Sequence, residues 1–143
     1  MDNIYNNWVL KNLFGKFTVK DINLKQKLME LNIPIREKET VINWELVKPK
    51  YNFFYDYIGN EEISNFLKKS PISNYENVYI YLNYNEPIIE IDTNTFIDKW
   101  EDLLSSTGYS GLFVFTNNGN HFLEFTDDSS YQLYSNFPIK LEK

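Results

Sequence analysis

The sequence predicts a single α+β domain over residues 1–143, with a mostly antiparallel sheet of about 5–6 strands and about 2–4 packed helices. Apolar and polar side chains alternate over residues 78–84, which is the period of a half-buried strand. An Asn-Gly pair at 118–119 separates two apolar segments, as in a tight hairpin. Between these features lies a helical pattern, so the order is a hairpin, a helix and a three-stranded meander.

The N-terminal part of the chain has weaker patterns. Residues 1–20 show only a partial helical stripe, formed by Trp8, Val9, Leu13, Phe14 and Phe17. A short helix is predicted over 22–31, with Asp21 as its N-cap and an apolar face made of Leu24, Leu28 and Leu31. Pro34 ends this helix, because the residue before a proline is pushed out of the α region.

The middle of the chain predicts two extended segments and a second helix. Residues 40–47 are rich in β-branched side chains and predict a strand, and 51–58 predict a strand or a buried loop. Asn60 is the predicted cap of a helix that reaches Lys69 and stops at Pro71. Its acidic start and basic end suit the helix dipole.

The second half of the chain is more regular. Strands are predicted at 78–84, 88–92, 112–116, 121–126 and 131–135. A helix lies between the second and third of these and runs to about Ser105, with Asp92, Thr93 and Thr95 as candidate caps. Its apolar side is formed by Phe96, Ile97, Trp100, Leu103 and Leu104.

Composition excludes several classes of function. The chain has no cysteine, so disulfides, thiolate metal sites and cysteine nucleophiles are excluded. A net charge of −6 argues against binding to nucleic acid, since phosphate contacts need clustered Lys and Arg. The apolar runs are far shorter than the ~20 residues that span a membrane, and the N-terminus lacks the pattern of a signal peptide. We therefore expect a cytoplasmic protein with neither nucleic acid nor membrane as a partner.

The acidity of the chain is regional. Residues 1–76 hold eleven basic and ten acidic side chains, a charge of +1, whereas residues 77–143 hold three and ten, a charge of −7. Some of these acids have ordinary explanations: Asp98, Glu101 and Asp102 fall on the polar side of a helix, and Glu86 falls in a turn. A surface of one sign attracts a basic partner, so the remaining acids indicate a protein partner.

No catalytic motif is present, and we predict that the protein is not an enzyme and has no catalytic residues, cofactor or metal. His121 is the only histidine, and a half-buried or edge position is favoured for it over a catalytic one. Glu124 with Asp127 or Asp128 could form a carboxylate pair, but Asp-Asp-Ser-Ser at 127–130 is typical of a turn. Tyrosines among the acids suit a protein interface or the rim of a core, and include Tyr79, Tyr81, Tyr109, Tyr131 and Tyr134.

Five segments carry a resemblance to a known class of proteins. They are Pro87–Ile91, Phe96–Trp100, Gly111–Phe115, Phe122–Asp128 and Tyr131–Asn136. In order and texture they resemble small bacterial immunity proteins of contact-dependent growth inhibition and other polymorphic toxin systems. The resemblance implies a protein without enzymatic activity that binds a cognate toxin domain, often a nuclease, and covers its basic active-site cleft.

Residues and resemblance lead to the same functional prediction. The predicted partner-binding surface consists of acids on strand ends and the last hairpin with one tyrosine: Glu90, Asp92, Glu124, Asp127, Asp128 and Tyr131. Two alternatives stay open, a nucleic-acid mimic that inhibits a host enzyme and a small ligand-binding or enzymatic α+β module. A plain interaction domain of a larger assembly is also compatible with the sequence.

Overall fold

A seven-stranded antiparallel sheet is the centre of the structure, a computed structural model that describes residues 17–20, 22–36, 41–55, 59–82, 85–106, 111–126 and 131–139. Its strands are β1 (Phe17–Lys20), β2 (Tyr51–Phe54), β3 (Asn77–Leu82), β4 (Asn85–Asp92), β5 (Gly111–Phe115), β6 (Phe122–Thr126) and β7 (Gln132–Ser135). The order across the sheet is β1-β4-β3-β5-β6-β7-β2. The predicted α+β class is confirmed, and the sheet is larger than the five or six strands expected.

Three α-helices lie within the described residues: α1 (Leu24–Glu30), α2 (Asn60–Lys69) and α3 (Thr93–Ser105). The predicted Asp92 cap of α3 is confirmed, since its carboxylate accepts the Thr95 N–H at 3.0 Å. The cap of α1 is Asn23, which accepts the Gln26 N–H at 2.9 Å, while the expected cap Asp21 lies outside the described residues. Asn60 is the first residue of α2 rather than its cap, which is Gly59.

Two predictions for the N-terminal half were wrong. Phe17–Lys20 is a strand that pairs with β4 and not part of a helical stripe; residues 1–16 lie outside the described residues. The strand expected over 40–47 does not form in its described part, 41–47, where residues 44–46 form a 3₁₀ turn and an isolated bridge joins Ile42 to Ile35. Residues 33–36 and 41–47 together form what we call the strap. Sheet pairing at the edge and packing of the strap override local propensity in both places.

Alternation along the strands sends side chains to two faces, and both faces are covered. Helices α2 and α3 pack on the first face, against a core that includes Ile80, Leu123 and Phe125. Helix α1 and the strap pack on the second face, against Phe113, Phe115 and Phe122, for example. The strap is seated there by Trp44, whose ring stacks on Tyr134 at 5.3 Å and contacts Phe122 at 5.5 Å. Among the described residues no helix is long and apolar enough to cross a membrane.

Gly119 lies in the β5–β6 turn, where this turn packs closely against Leu31 at the end of α1. Its φ of +74° is in the left-handed region, and a Cβ on it would lie 2.9 Å from Leu31 Cβ. We therefore expect Gly119→Ala to lower the free energy of unfolding by about 1–3 kcal/mol, through backbone strain and the clash. Thermal unfolding followed by circular dichroism measures this loss.

Gly59 provides the matched control, because a Cβ there would meet only Glu62 Oε1 at an ordinary 3.5 Å. Gly59→Ala reduces the entropy of the unfolded chain but replaces a favourable N-cap residue, and these effects oppose one another. We expect a change below about 0.5 kcal/mol. If both variants lose the same stability, the close approach of Gly119 and Leu31 does not matter energetically.

Candidate partner-binding surface

Glu124, one of the predicted surface acids, is buried. It lies in β6 between Phe113 and Tyr134 on the neighbouring strands, and only 1% of its surface is exposed. Its carboxylate accepts hydrogen bonds from the Val41 N–H at 2.7 Å, the Ile42 N–H at 3.2 Å and Trp44 Nε1–H at 2.9 Å. Glu124 therefore binds the strap to the sheet, and a partner cannot reach it in this structure.

The remaining predicted acids have different surroundings. Asp92 is half-buried and accepts both the Thr95 N–H and the Thr95 hydroxyl, so it is occupied in capping α3. Glu90 in β4 forms an ion pair with Lys20 Nζ at 3.1 Å, and 26% of its side chain is exposed. Asp127 and Asp128 lie outside the described residues. Among the predicted acids within the described residues, Glu90 is therefore the one that forms an ion pair and is also partly exposed.

Tyr131 is 43% exposed, but it lies far from Glu90. The register aligns Glu90 with Tyr79, Phe115 and Phe122, at the end of the sheet that carries the β5–β6 turn. Tyr131 precedes β7 at the other end, where Gln132 pairs with Thr126. Four strand spacings also separate β4 from β7, about 19 Å at the usual spacing. The structure therefore does not bring Glu90 and Tyr131 into one surface.

A polar cleft does surround Glu90 at the β5–β6 turn end. It has a volume of about 190 Å³, and we call it the acidic cleft; its lining residues are Tyr75, Glu76, Asn77, Tyr79, Glu90 and Asn117. They come from the bend before β3, from β3, from β4 and from the β5–β6 turn. Glu76 is the acid that the sequence-based prediction missed, because it stands in a bend just before a strand and has no periodic pattern around it.

The acidic cleft suits a cationic side chain better than a free ligand. Its volume is below the range of about 300–1,000 Å³ that is usual for ligand pockets. Two carboxylates supply charge-assisted hydrogen bonds, and tyrosine rings supply faces that attract cations. Lys20 already pairs with Glu90 at the sheet edge, which shows that this carboxylate accepts an ammonium group.

A hydrogen-bonded cluster stands behind one wall of the acidic cleft. The Tyr75 hydroxyl lies 3.1 Å from His121 Nδ1 and 3.2 Å from Asn118 Nδ2. His121 is half-buried, as the sequence predicted, and burial lowers its pKa below the usual value. Within the described part of the chain no group of three or more His, Cys, Asp or Glu side chains could hold a metal ion.

No protein-family model matches this chain, and no curated protein matches it.

Proposed function

We propose that this chain is an immunity protein that binds a cognate bacterial toxin domain in the cytoplasm and neutralises it. In this proposal the acidic cleft receives a Lys or Arg side chain from the toxin domain. The main support for this proposal is that Glu76 and Glu90 line one cleft together with two tyrosines, and that the cleft is about the size of a side chain. The resemblance in residues 87–136 to immunity proteins supports the class of partner.

Charge complementarity supports a nuclease as one form of that toxin. A nuclease must carry Lys and Arg where nucleic acid lies, and an inhibitor that covers this surface gains by presenting acids there. The net charge of −6 gives the long-range attraction, and the acidic cleft gives a place for one anchoring cation. The cleft would form only part of a standard interface of roughly 1,600 Å².

The direct test is co-expression with the C-terminal domain of a toxin encoded beside this chain's gene. We expect wild-type protein to restore growth and to bind the purified domain with an affinity that falls as salt rises. Reversing both cleft acids, Glu76→Lys with Glu90→Lys, should weaken binding by about 10- to 100-fold, because the anchoring cation then meets two like charges. Calorimetric titration at two salt concentrations measures both effects.

Two exposed acids on α3 provide a matched control. The double variant Asp98→Lys with Asp102→Lys changes the net charge by the same amount. Both residues lie on α3, which covers the first face of the sheet. We expect this variant to bind within about threefold of wild type, since exposed charges away from an interface act only at long range. An equal loss of affinity in the two variants would remove the acidic cleft from the proposal.

A further inference from the structure

Tyr75 belongs both to the wall of the acidic cleft and to the cluster around His121. It precedes β3, while Asn118 and His121 lie in and just after the β5–β6 turn. The Tyr75 ring contacts the His121 ring at 5.8 Å between centroids, and Phe137 contacts that imidazole from another element at 6.0 Å. The single histidine of the chain is therefore one hydrogen bond away from the cleft.

The orientation of the Asn118 amide assigns the direction of its hydrogen bond with the Tyr75 hydroxyl. Asn118 Oδ1 accepts the Thr116 hydroxyl at 2.7 Å and the Asn120 N–H at 3.0 Å, so Nδ2 is the atom that donates to Tyr75 at 3.2 Å. The alternative bond from the Tyr75 hydroxyl to Asn118 Oδ1 is longer, at 3.4 Å. The Tyr75 oxygen thus accepts from Asn118 Nδ2–H, which leaves the hydroxyl proton available to His121 Nδ1 whenever that nitrogen carries no hydrogen.

His121 can accept that proton only while its ring is neutral. An imidazolium carries a hydrogen on both nitrogens, so Nδ1 would become a donor and the Tyr75 hydroxyl would lose its acceptor. The hydroxyl must then rotate, and a positive charge appears next to the wall of the cleft. Asn118, Thr116, Asn120 and Phe137 carry no charge. Within the described residues, the titratable groups around His121 and the cleft are therefore Tyr75, Tyr79, the acids Glu76 and Glu90, and Lys20, which is paired with Glu90.

We propose that His121 is a positioning residue of the acidic cleft: its neutral form accepts the proton of the Tyr75 hydroxyl, and its protonation reverses that hydrogen bond, puts a positive charge beside the cleft wall and weakens the binding of a basic side chain. The proposal rests on the proposed function for its ligand. Burial keeps the pKa of His121 below its usual value, so the cleft is in its binding form at neutral pH. Binding weakens as the pH falls through that lowered value. By reciprocity, a cation bound in the cleft disfavours the charged form of His121.

Nuclear magnetic resonance tests the link without any partner. In the wild-type chain, the ring signals of Tyr75 and the side-chain amide signals of Asn118 should shift between pH 8 and pH 5 with the midpoint of the His121 ring. In His121→Gln, which retains an acceptor for Tyr75 and has no charge to gain, those shifts should disappear. The ring of Tyr51 in β2 serves as the reference that stays constant. Tyr75 signals that do not follow His121 in the wild type would overturn the proposal.

Binding of an octa-arginine peptide at pH 7.5 and pH 5.5 tests the consequence for the cleft. We expect the wild type to lose about fivefold more affinity than His121→Gln on acidification, since every other effect of the pH change is common to both proteins. Equal losses in the two proteins would overturn the effect on binding. If peptide and toxin domain both fail to bind at pH 7.5, the proposed function is contradicted, whereas the resonance experiment still decides the role of His121.

Discussion

Replacing Glu124 by leucine is expected to lower the free energy of unfolding by about 3–5 kcal/mol, although the two side chains are similar in size. The substitution leaves the Val41 and Ile42 N–H groups and the Trp44 indole N–H without their acceptor. Each buried donor left unpaired costs about 1–3 kcal/mol. Urea unfolding followed by circular dichroism measures the total.

Two further variants test whether the loss of stability in Glu124→Leu comes from the missing acceptor or from any substitution in this region. Glu124→Gln retains one carbonyl acceptor but turns its NH₂ toward the donors of the strap, so we expect an intermediate loss of about 2 kcal/mol. Glu45→Gln changes an exposed acid of the same strap and should stay within about 0.5 kcal/mol of wild type. A Glu124→Leu variant as stable as Glu45→Gln would contradict the assigned role of the carboxylate.

The second half of the chain was predicted better than the first half, because its elements are formed mostly by residues that are close in sequence. The elements from β3 to β7 were predicted in the right order, because a hairpin, a capped helix and a meander are formed by neighbours in sequence. The main difference is β4, which begins at Asn85 and so includes Glu86, the acid expected in a turn. Asp92 is an example: its capping partner Thr95 is three residues away, and the apolar face of α3 is periodic. Such elements can be predicted from pattern and turn chemistry alone.

The strap and β1 depend on distant partners and were assigned wrongly. Val41 and Ile42 look like strand residues, but their N–H groups bind a carboxylate more than 80 positions away. Likewise Phe17–Lys20 becomes a strand because β4 presents a free edge to it. Neither partner can be located from the local sequence, since local preference is weak against pairing and burial.

The candidate site was predicted only in part for the same reason. Alternation along β6 correctly put Glu124 on the face opposite to Leu123 and Phe125, but could not show that the strap covers the face of Glu124. Glu90 was found as an acid on a strand end. Glu76 was not, since only the sheet register places the bend before β3 beside β4 and the β5–β6 turn.

Phe125→Ala is expected to cost about 3–5 kcal/mol, which is the usual cost of truncating a buried phenylalanine. Phe125 is fully buried under α3, where its ring stacks on Trp100 at 5.1 Å with an angle of 6° between the planes. On another side it meets the edge of Tyr55 at 5.3 Å. Alanine therefore removes two aromatic contacts and leaves a cavity between the sheet and the helix.

Phe54→Ala is the matched control, because it makes the same chemical change at a residue of β2 that is 48% exposed. We expect it to cost less than about 1 kcal/mol, since much of its surface already meets water. Urea unfolding of both variants gives the comparison, and the intrinsic tryptophan fluorescence of the folded protein should change only in Phe125→Ala, where the ring that stacks on Trp100 is lost. If the two variants lose similar stability, the core between α3 and the sheet is not packed as tightly as these contacts require.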